Sequence, residues 1–290
     1  MGHHTKKARH EHYLQLAVAC FGLALWFMPT PEGLKVEAWH LFSIFISAIL
    51  AVMLNALPIF TASIIALSVA VLTQTLSAEE AYSGFSQAFI LLIIVAFLIA
   101  RGVIKSGLGR RIAFLIIKRF GRSSLGLSYS VIAADMFISP AFPSNTARSG
   151  VLYPIISALA HDSGSKVADG TRKKLGAFLM LSSMAGLTLS STLWLTAMAA
   201  NPAGAKMAEQ FGVEISFGSW ATAAFVPVGV LFVLIPWLLY KIFPPELKAT
   251  PQAPKMAELS LEKMGPVSKN EKIMAAVFIG MVFLWVMSDA

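Results

Sequence analysis

Long apolar runs, separated by short stretches that hold nearly all the charge, constrain this chain more than any other feature. They lie at 13–28, 39–54, 58–73, 88–104, 175–200, 217–243 and 273–288. Over the whole chain 57% of residues are hydrophobic and only 13% are charged. Inside a bilayer no water is present to bond free N–H and C=O groups, so each such run must satisfy its own backbone as a helix. The expectation is an all-α polytopic membrane protein with about seven transmembrane helices.

One further apolar stretch, 125–160, is interrupted by Ser139-Pro-Ala-Phe-Pro-Ser-Asn-Thr-Ala-Arg-Ser-Gly-Val-Leu-Tyr-Pro154. The arms at 125–138 and 151–160 are each shorter than the roughly 20 residues a spanning helix needs. Two short arms around a polar tip predict a re-entrant helical hairpin. The alternative is a pair of short spans with the tip at the outer surface. Pro140 and Pro143 donate no backbone hydrogen bond and bias the preceding residue away from helix, so the chain is expected to open there and restart near Ala147. Ser144, Asn145 and Thr146 then stand where helix caps stand, and a helix N-terminus at membrane depth attracts anions. Arg148 is expensive in such a place and has two readings. It offsets substrate charge or replaces a coupling cation, or it pairs structurally with Asp135, the one acid in the first arm.

The net charge of +8 raises the question of nucleic acid, and its distribution answers it. With the N-terminus in the cytoplasm, only Lys35 and Lys206 fall outside, Arg148 sits in the tip, and every other Lys and Arg falls inside. The outer loops carry Glu32, Glu37, Glu79, Glu80, Glu209 and Glu214. That is the positive-inside pattern, with the basic segments against anionic lipid and no nucleic-acid partner. Within 105–124 an apolar middle is flanked by basic residues, which predicts a helix lying in the interface. Cys20 is the single cysteine and forms no internal disulfide.

The fifth run is rich in small hydroxyl residues, from Ser182 and Ser183 to Thr196, and ends at Asn201-Pro202. Small residues let membrane helices approach closely, which accounts equally well for 182–188. For 190–201 the expectation is an interrupted helix whose carbonyls and hydroxyls, Ser190, Ser191, Thr192, Thr196 and Asn201 among them, bind a cation or the substrate. Enzyme signatures are missing: no Gly-x-Ser-x-Gly, no His-Glu-x-x-His, no phosphate loop. A membrane aspartyl enzyme would need two facing acids, for which Asp135 and Asp289 are the candidates.

Pro143-Ser-Asn-Thr-Ala-Arg-Ser-Gly150 resembles the first Ser-Asn-Thr motif of the divalent anion/sodium symporter family, in its branch of bacterial citrate, succinate and tartrate exchangers and plastid dicarboxylate translocators. Ser191-Thr-Leu-Trp-Leu-Thr-Ala-Met-Ala-Ala-Asn-Pro202, Pro244-Pro-Glu-Leu-Lys248 and Met264-Gly-Pro266 extend the resemblance over nearly the whole chain. It implies a secondary active transporter of di- or tricarboxylates in the cell inner membrane, working by anion exchange or sodium symport through an elevator-like moving domain. In that family a broken fifth helix faces the hairpin tip. Carried over, Ser144, Asn145, Ser190, Ser191 and Thr192 are cation candidates if sodium is the coupling ion. Substrate candidates are Ser144, Asn145, Thr146, Arg148, Thr196 and Asn201. No cofactor beyond sodium is implied; the expected partners are the carboxylate, membrane lipid and, in the full-length parent, a second copy forming a homodimer.

The expected organisation is a cytoplasmic tail (1–12), four scaffold helices (13–104), a basic interfacial segment (105–124) and the hairpin (125–160). A cytoplasmic loop and interrupted fifth helix (161–202), an outer loop and sixth helix (203–243), a cytoplasmic linker (244–272) and a seventh helix (273–290) complete it. The family has two inverted halves, each with a Ser-Asn-Thr tip, whereas this chain has one such tip. It therefore reads as the N-terminal half of an inverted-repeat transporter, with a non-transporting assembly protein or an inactive fragment as the alternative.

Overall fold

The apolar runs fold as helices in the computed structural model, which describes residues 2–287 and the side chains of residues 12–287. The described residues form thirteen α-helices and no strand. Five of these have the length and apolarity to cross a bilayer, and two shorter apolar helices accompany them. The chain is an all-α polytopic membrane protein, and it divides into two compact units, 1–90 and 91–290.

The first unit contains α1 (Gly2–Trp26), α2 (Val36–Met53), α3 (Ile59–Leu72) and the short α4 (Ala78–Tyr82). Helix begins at Gly2, so the expected tail is the opening of α1 rather than a separate arm. The α1–α2 contact is close: a Cβ on Gly22 would lie 2.5 Å from Ser47 Oγ, and Ser43 donates to the Gly22 carbonyl at 2.8 Å. In lipid, association of helices rests on such close packing and interhelical bonds rather than on the hydrophobic effect. Gln15 donates to the Ala56 carbonyl at 2.9 Å and so ties α1 to the α2–α3 turn.

The second unit begins within α5 (Ala88–Ser106). It continues through α6 (Leu108–Phe120), α7 (Ser124–Ile138), α8 (Asn145–Asp162), α9 (Gly176–Leu193), α10 (Ala200–Glu209), α11 (Phe217–Ile242), α12 (Gln252–Met264) and α13 (Lys269–Met287). Its largest core joins Phe114 and Ile117 of α6, Leu127 and Val131 of α7, Leu152 and Ile156 of α8, Phe178 and Leu179 of α9, and Ala253 and Ala257 of α12.

Two expectations change here. The basic segment is not a helix resting on lipid alone: one side of α6 is buried in protein, Arg111 included. Arg111 makes a forked pair with Glu271 at 2.5 and 3.2 Å and donates to the Gly265 carbonyl at 3.1 Å, which fastens α6 to the start of α13. The physical reason is that the apolar residues of α6 find a protein face, α12, in the segment expected to be a linker. Lys118 also reaches Glu258 across that contact at 2.8 Å, and the bond holds the Glu258 carboxyl below its usual range.

Helices α7 and α9 cross closely. A Cβ on Gly186 would lie 2.9 Å from Ile132 Cγ1 and 3.3 Å from the Ile132 Cα. This approach brings the two interrupted segments of the chain together.

Candidate substrate site at two helix breaks

Helix α7 stops at Ile138, a 3-10 turn covers Ser139–Ala141, and Phe142 is extended. Pro140 and Pro143 explain the stop, since neither supplies the N–H that the next turn would need. Helix restarts at Asn145, two residues earlier than expected, because Ser144 alone caps it: its side chain accepts from the Ala147 N–H at 3.3 Å. Asn145 and Thr146 therefore occupy the first turn, where backbone N–H groups lack intrahelical partners.

The second break follows α9, which ends at Leu193, inside the 190–201 stretch expected to be interrupted. Trp194 is extended, Leu195–Ala197 form a 3-10 turn, Met198 is extended again, and α10 begins at Ala200. The two breaks are bonded to each other. Thr196 Oγ1 donates to the Pro140 carbonyl at 2.8 Å, the Ala199 N–H to the Pro143 carbonyl at 3.1 Å, and Trp194 Nε1 to the Met136 carbonyl at 3.2 Å. Asn201 donates to the carbonyls of Ser191 and Trp194 at 2.8 and 3.2 Å, tying the start of α10 back to the end of α9. Thr196 is buried and Asn201 half-buried, so the substrate candidates of this segment spend these donors on the frame.

Arg148 lies beneath the tip and is fully buried. Its Nη2 donates to Asn145 Oδ1 at 2.6 Å, Ser191 Oγ at 2.6 Å and the Leu187 carbonyl at 3.1 Å. Its Nε is 3.4 Å from Asp135 Oδ1, and both side chains are out of contact with solvent. Ser190 donates to the other oxygen of Asp135. The ion pair expected as one of two readings is therefore formed, and Ser190 belongs to it. No hydrogen bond within reach satisfies Arg148 Nη1, Arg148 Nε or Asp135 Oδ1, so charge attraction holds that edge of the pair.

These contacts orient Asn145. Its Oδ1 accepts from Arg148 and also lies 2.6 Å from the Ser191 hydroxyl, a hydroxyl whose single proton is shared with the Leu187 carbonyl at 2.5 Å. An amide carbonyl, not an amide NH2, must face a guanidinium, so the network fixes the amide's two ends. The NH2 end makes no hydrogen bond to the described residues. Thr146 is exposed at that turn and Ser144 half-buried. Thr192 is exposed; its hydroxyl donates to the Thr188 carbonyl of its own helix and its carbonyl accepts from Trp220 Nε1, both apart from this cluster. Asp289 lies outside the described residues.

Sequence reasoning found Arg148, Asp135 and Asn145, but not the part played by backbone oxygens. The carbonyls of Met136, Pro140, Pro143 and Leu187 hold the breaks together, and carbonyls leave no mark in a sequence.

Residues 9–290 match the family described as the sodium:sulfate symporter transmembrane region. The chain belongs to that family. It is 45% identical over 273 residues to dicarboxylate transporter 1, chloroplastic, of Spinacia oleracea, covering 93% of this chain and 48% of that one. Its Arabidopsis thaliana namesake is 44% identical over 273 residues, covering 93% and 49%. The L-tartrate/succinate antiporter of Escherichia coli strain UTI89 is 33% identical over 280 residues, covering 89% and 57%. The chain spans about half the length of the curated relatives it matches. Membership in this symporter family agrees with the resemblance carried by the Ser-Asn-Thr tip.

Proposed function

We propose that this chain supplies half of the substrate site of a dicarboxylate transporter, and that the transporter works by anion exchange rather than sodium symport. The names of its relatives support the substrate class. The observation that carries the reading is the orientation of Asn145, whose carbonyl is bound to Arg148 and Ser191. The amide donors and the α8 N-terminus then meet one carboxylate of the substrate, with Thr146 and Ser144 at the rim. A second tip, related by the inverted repeat of the family, meets the other carboxylate. The protein sits in the cell inner membrane with its N-terminus in the cytoplasm, functions as a homodimer, and carries the two breaks across the bilayer in an elevator-like movement.

The argument against sodium at this tip is also geometric. A sodium ion needs several oxygens free to converge on it. Asn145 Oδ1 already has a guanidinium nitrogen at 2.6 Å, and Ser190 is committed to Asp135. Arg148 is a tethered cation in the place where a mobile one would bind. The test is reconstitution of the full-length transporter into liposomes preloaded with unlabelled succinate. Labelled succinate should enter by exchange at an undiminished rate when sodium is replaced by choline. A strict sodium requirement would overturn exchange, and no uptake of any dicarboxylate in either salt would favour an assembly protein.

A further inference from the structure

We propose that Asp135 is a specificity-determining residue: it cancels the charge of Arg148 beneath the tip and thereby sets how many negative charges the site prefers on its substrate. The inference rests on the site reading above. Three helices contribute to the pair, Asp135 from α7, Arg148 from α8 and Ser190 and Ser191 from α9, so the charges are fixed relative to each other. Both are fully buried and their nearest charged atoms are 3.4 Å apart. The other ion pairs among the described residues, Arg111–Glu271, Lys118–Glu258 and Lys206–Glu209, belong to other contacts. Within the cluster only Asp135 offsets the guanidinium, since Asn145, Ser191 and the Leu187 carbonyl are neutral acceptors.

The consequence follows from elementary electrostatics. With Asp135 ionised, the tip offers hydrogen-bond donors and a helix end but no net charge. A ligand carboxylate at the amide of Asn145 is then held by dipoles, which suits a dianion shared between two such tips. Without Asp135 a full positive charge stands one amide away from the ligand, and buried charges interact over such distances with little screening. A trianion gains more from that charge than a dianion does. Asp135 therefore disfavours tricarboxylates without touching them.

The experiment uses the full-length transporter in liposomes at mildly alkaline pH, where succinate is a dianion and citrate a trianion. Each competes with labelled succinate, and the ratio of their apparent affinities is read. Asp135→Asn should raise the citrate-to-succinate affinity ratio by at least about tenfold, the scale of one buried unit charge nearby. Asp135→Asn combined with Arg148→Gln restores a neutral tip and should return the ratio to within about threefold of the wild type, even if both affinities fall. A ratio unmoved by Asp135→Asn overturns the proposal. If that single variant does not assemble, the double variant decides: it buries no uncompensated charge, and a tenfold change in its ratio overturns the proposal because the net charge is unchanged. A wild-type protein that binds neither anion would instead overturn the transporter reading.

Discussion

At the scale of single residues, the site depends on which end of an amide faces which neighbour. Asn145→Asp tests this with almost no change of shape. The aspartate keeps an acceptor for Arg148 and Ser191 but replaces the outward NH2 with an oxygen that repels a carboxylate. Uptake of labelled succinate should fall to background while the melting temperature stays the same or rises. Asn145→Ala removes the same donors without adding a repulsion, and a lost hydrogen bond to a charged group costs about 1.5–3 kcal/mol, so apparent affinity should drop roughly 10- to 100-fold. Full uptake in the aspartate variant would show that the amide does not meet the substrate. Ser191→Ala acts on the other side of the same oxygen. It removes a partner of Arg148 and should lower thermal stability by about 1–2 kcal/mol, because a buried donor loses an acceptor.

At the scale of elements, the α7–α9 crossing holds the two breaks in register, and a separate clamp ties α6 to α13. Gly186 permits the first. Its missing Cβ would meet Ile132 at 2.9 Å, and the Ile132 backbone lies at 3.3 Å, so the side chain cannot simply swing away. Gly186→Ala should destabilise the protein by about 1–3 kcal/mol, the usual cost of overpacking. Ile132→Ala in the same chain should recover part of the loss, a coupling that a thermal-shift double-mutant cycle would detect. Additive losses would mean that the helices part elsewhere. The second contact is the nearly buried pair Arg111–Glu271. Glu271→Ala leaves the arginine unpaired and should cost about 3–5 kcal/mol. Replacing both residues by methionine should be close to neutral by the same reasoning.

At the scale of the whole molecule, the charge distribution and the hairpin make one joint prediction about orientation. In a full-length transporter carrying Cys20→Ser, a cysteine placed at Ala203 should react quickly with an impermeant thiol reagent added outside. A cysteine at Ser149 should react slowly, and saturating dicarboxylate should slow it further. The basis is that the irregular backbone at 139–144 survives at membrane depth only where protein or a cavity covers it. Its own unit already buries Ser139, Pro140, Ala141 and Phe142. Equal and fast labelling at both positions, indifferent to substrate, would place the tip at the surface and remove the hairpin.

Hydrophobic runs and breaks were legible in the sequence because each is local. An apolar run must be a helix in lipid whatever surrounds it, Pro140 and Pro143 stop a helix through their own rings, and Ser144 caps the next one three residues away. Arg148 could be picked out because a charge in an apolar stretch is costly wherever it finally sits. What the chain alone left open was settled by contacts between distant segments. Whether Arg148 pairs with Asp135, whether Ser190 faces a cation or that acid, and whether Thr196 and Asn201 present their donors to a ligand or to Pro140 and Ser191 all depend on α7, α8 and α9 meeting. So does the fate of α6, whose apolar side suits lipid and protein equally until α12 covers it. Composition and spacing specify what a side chain is able to bond. Only the packed helices determine which partner, among several of equal chemistry, stands within three ångströms of it.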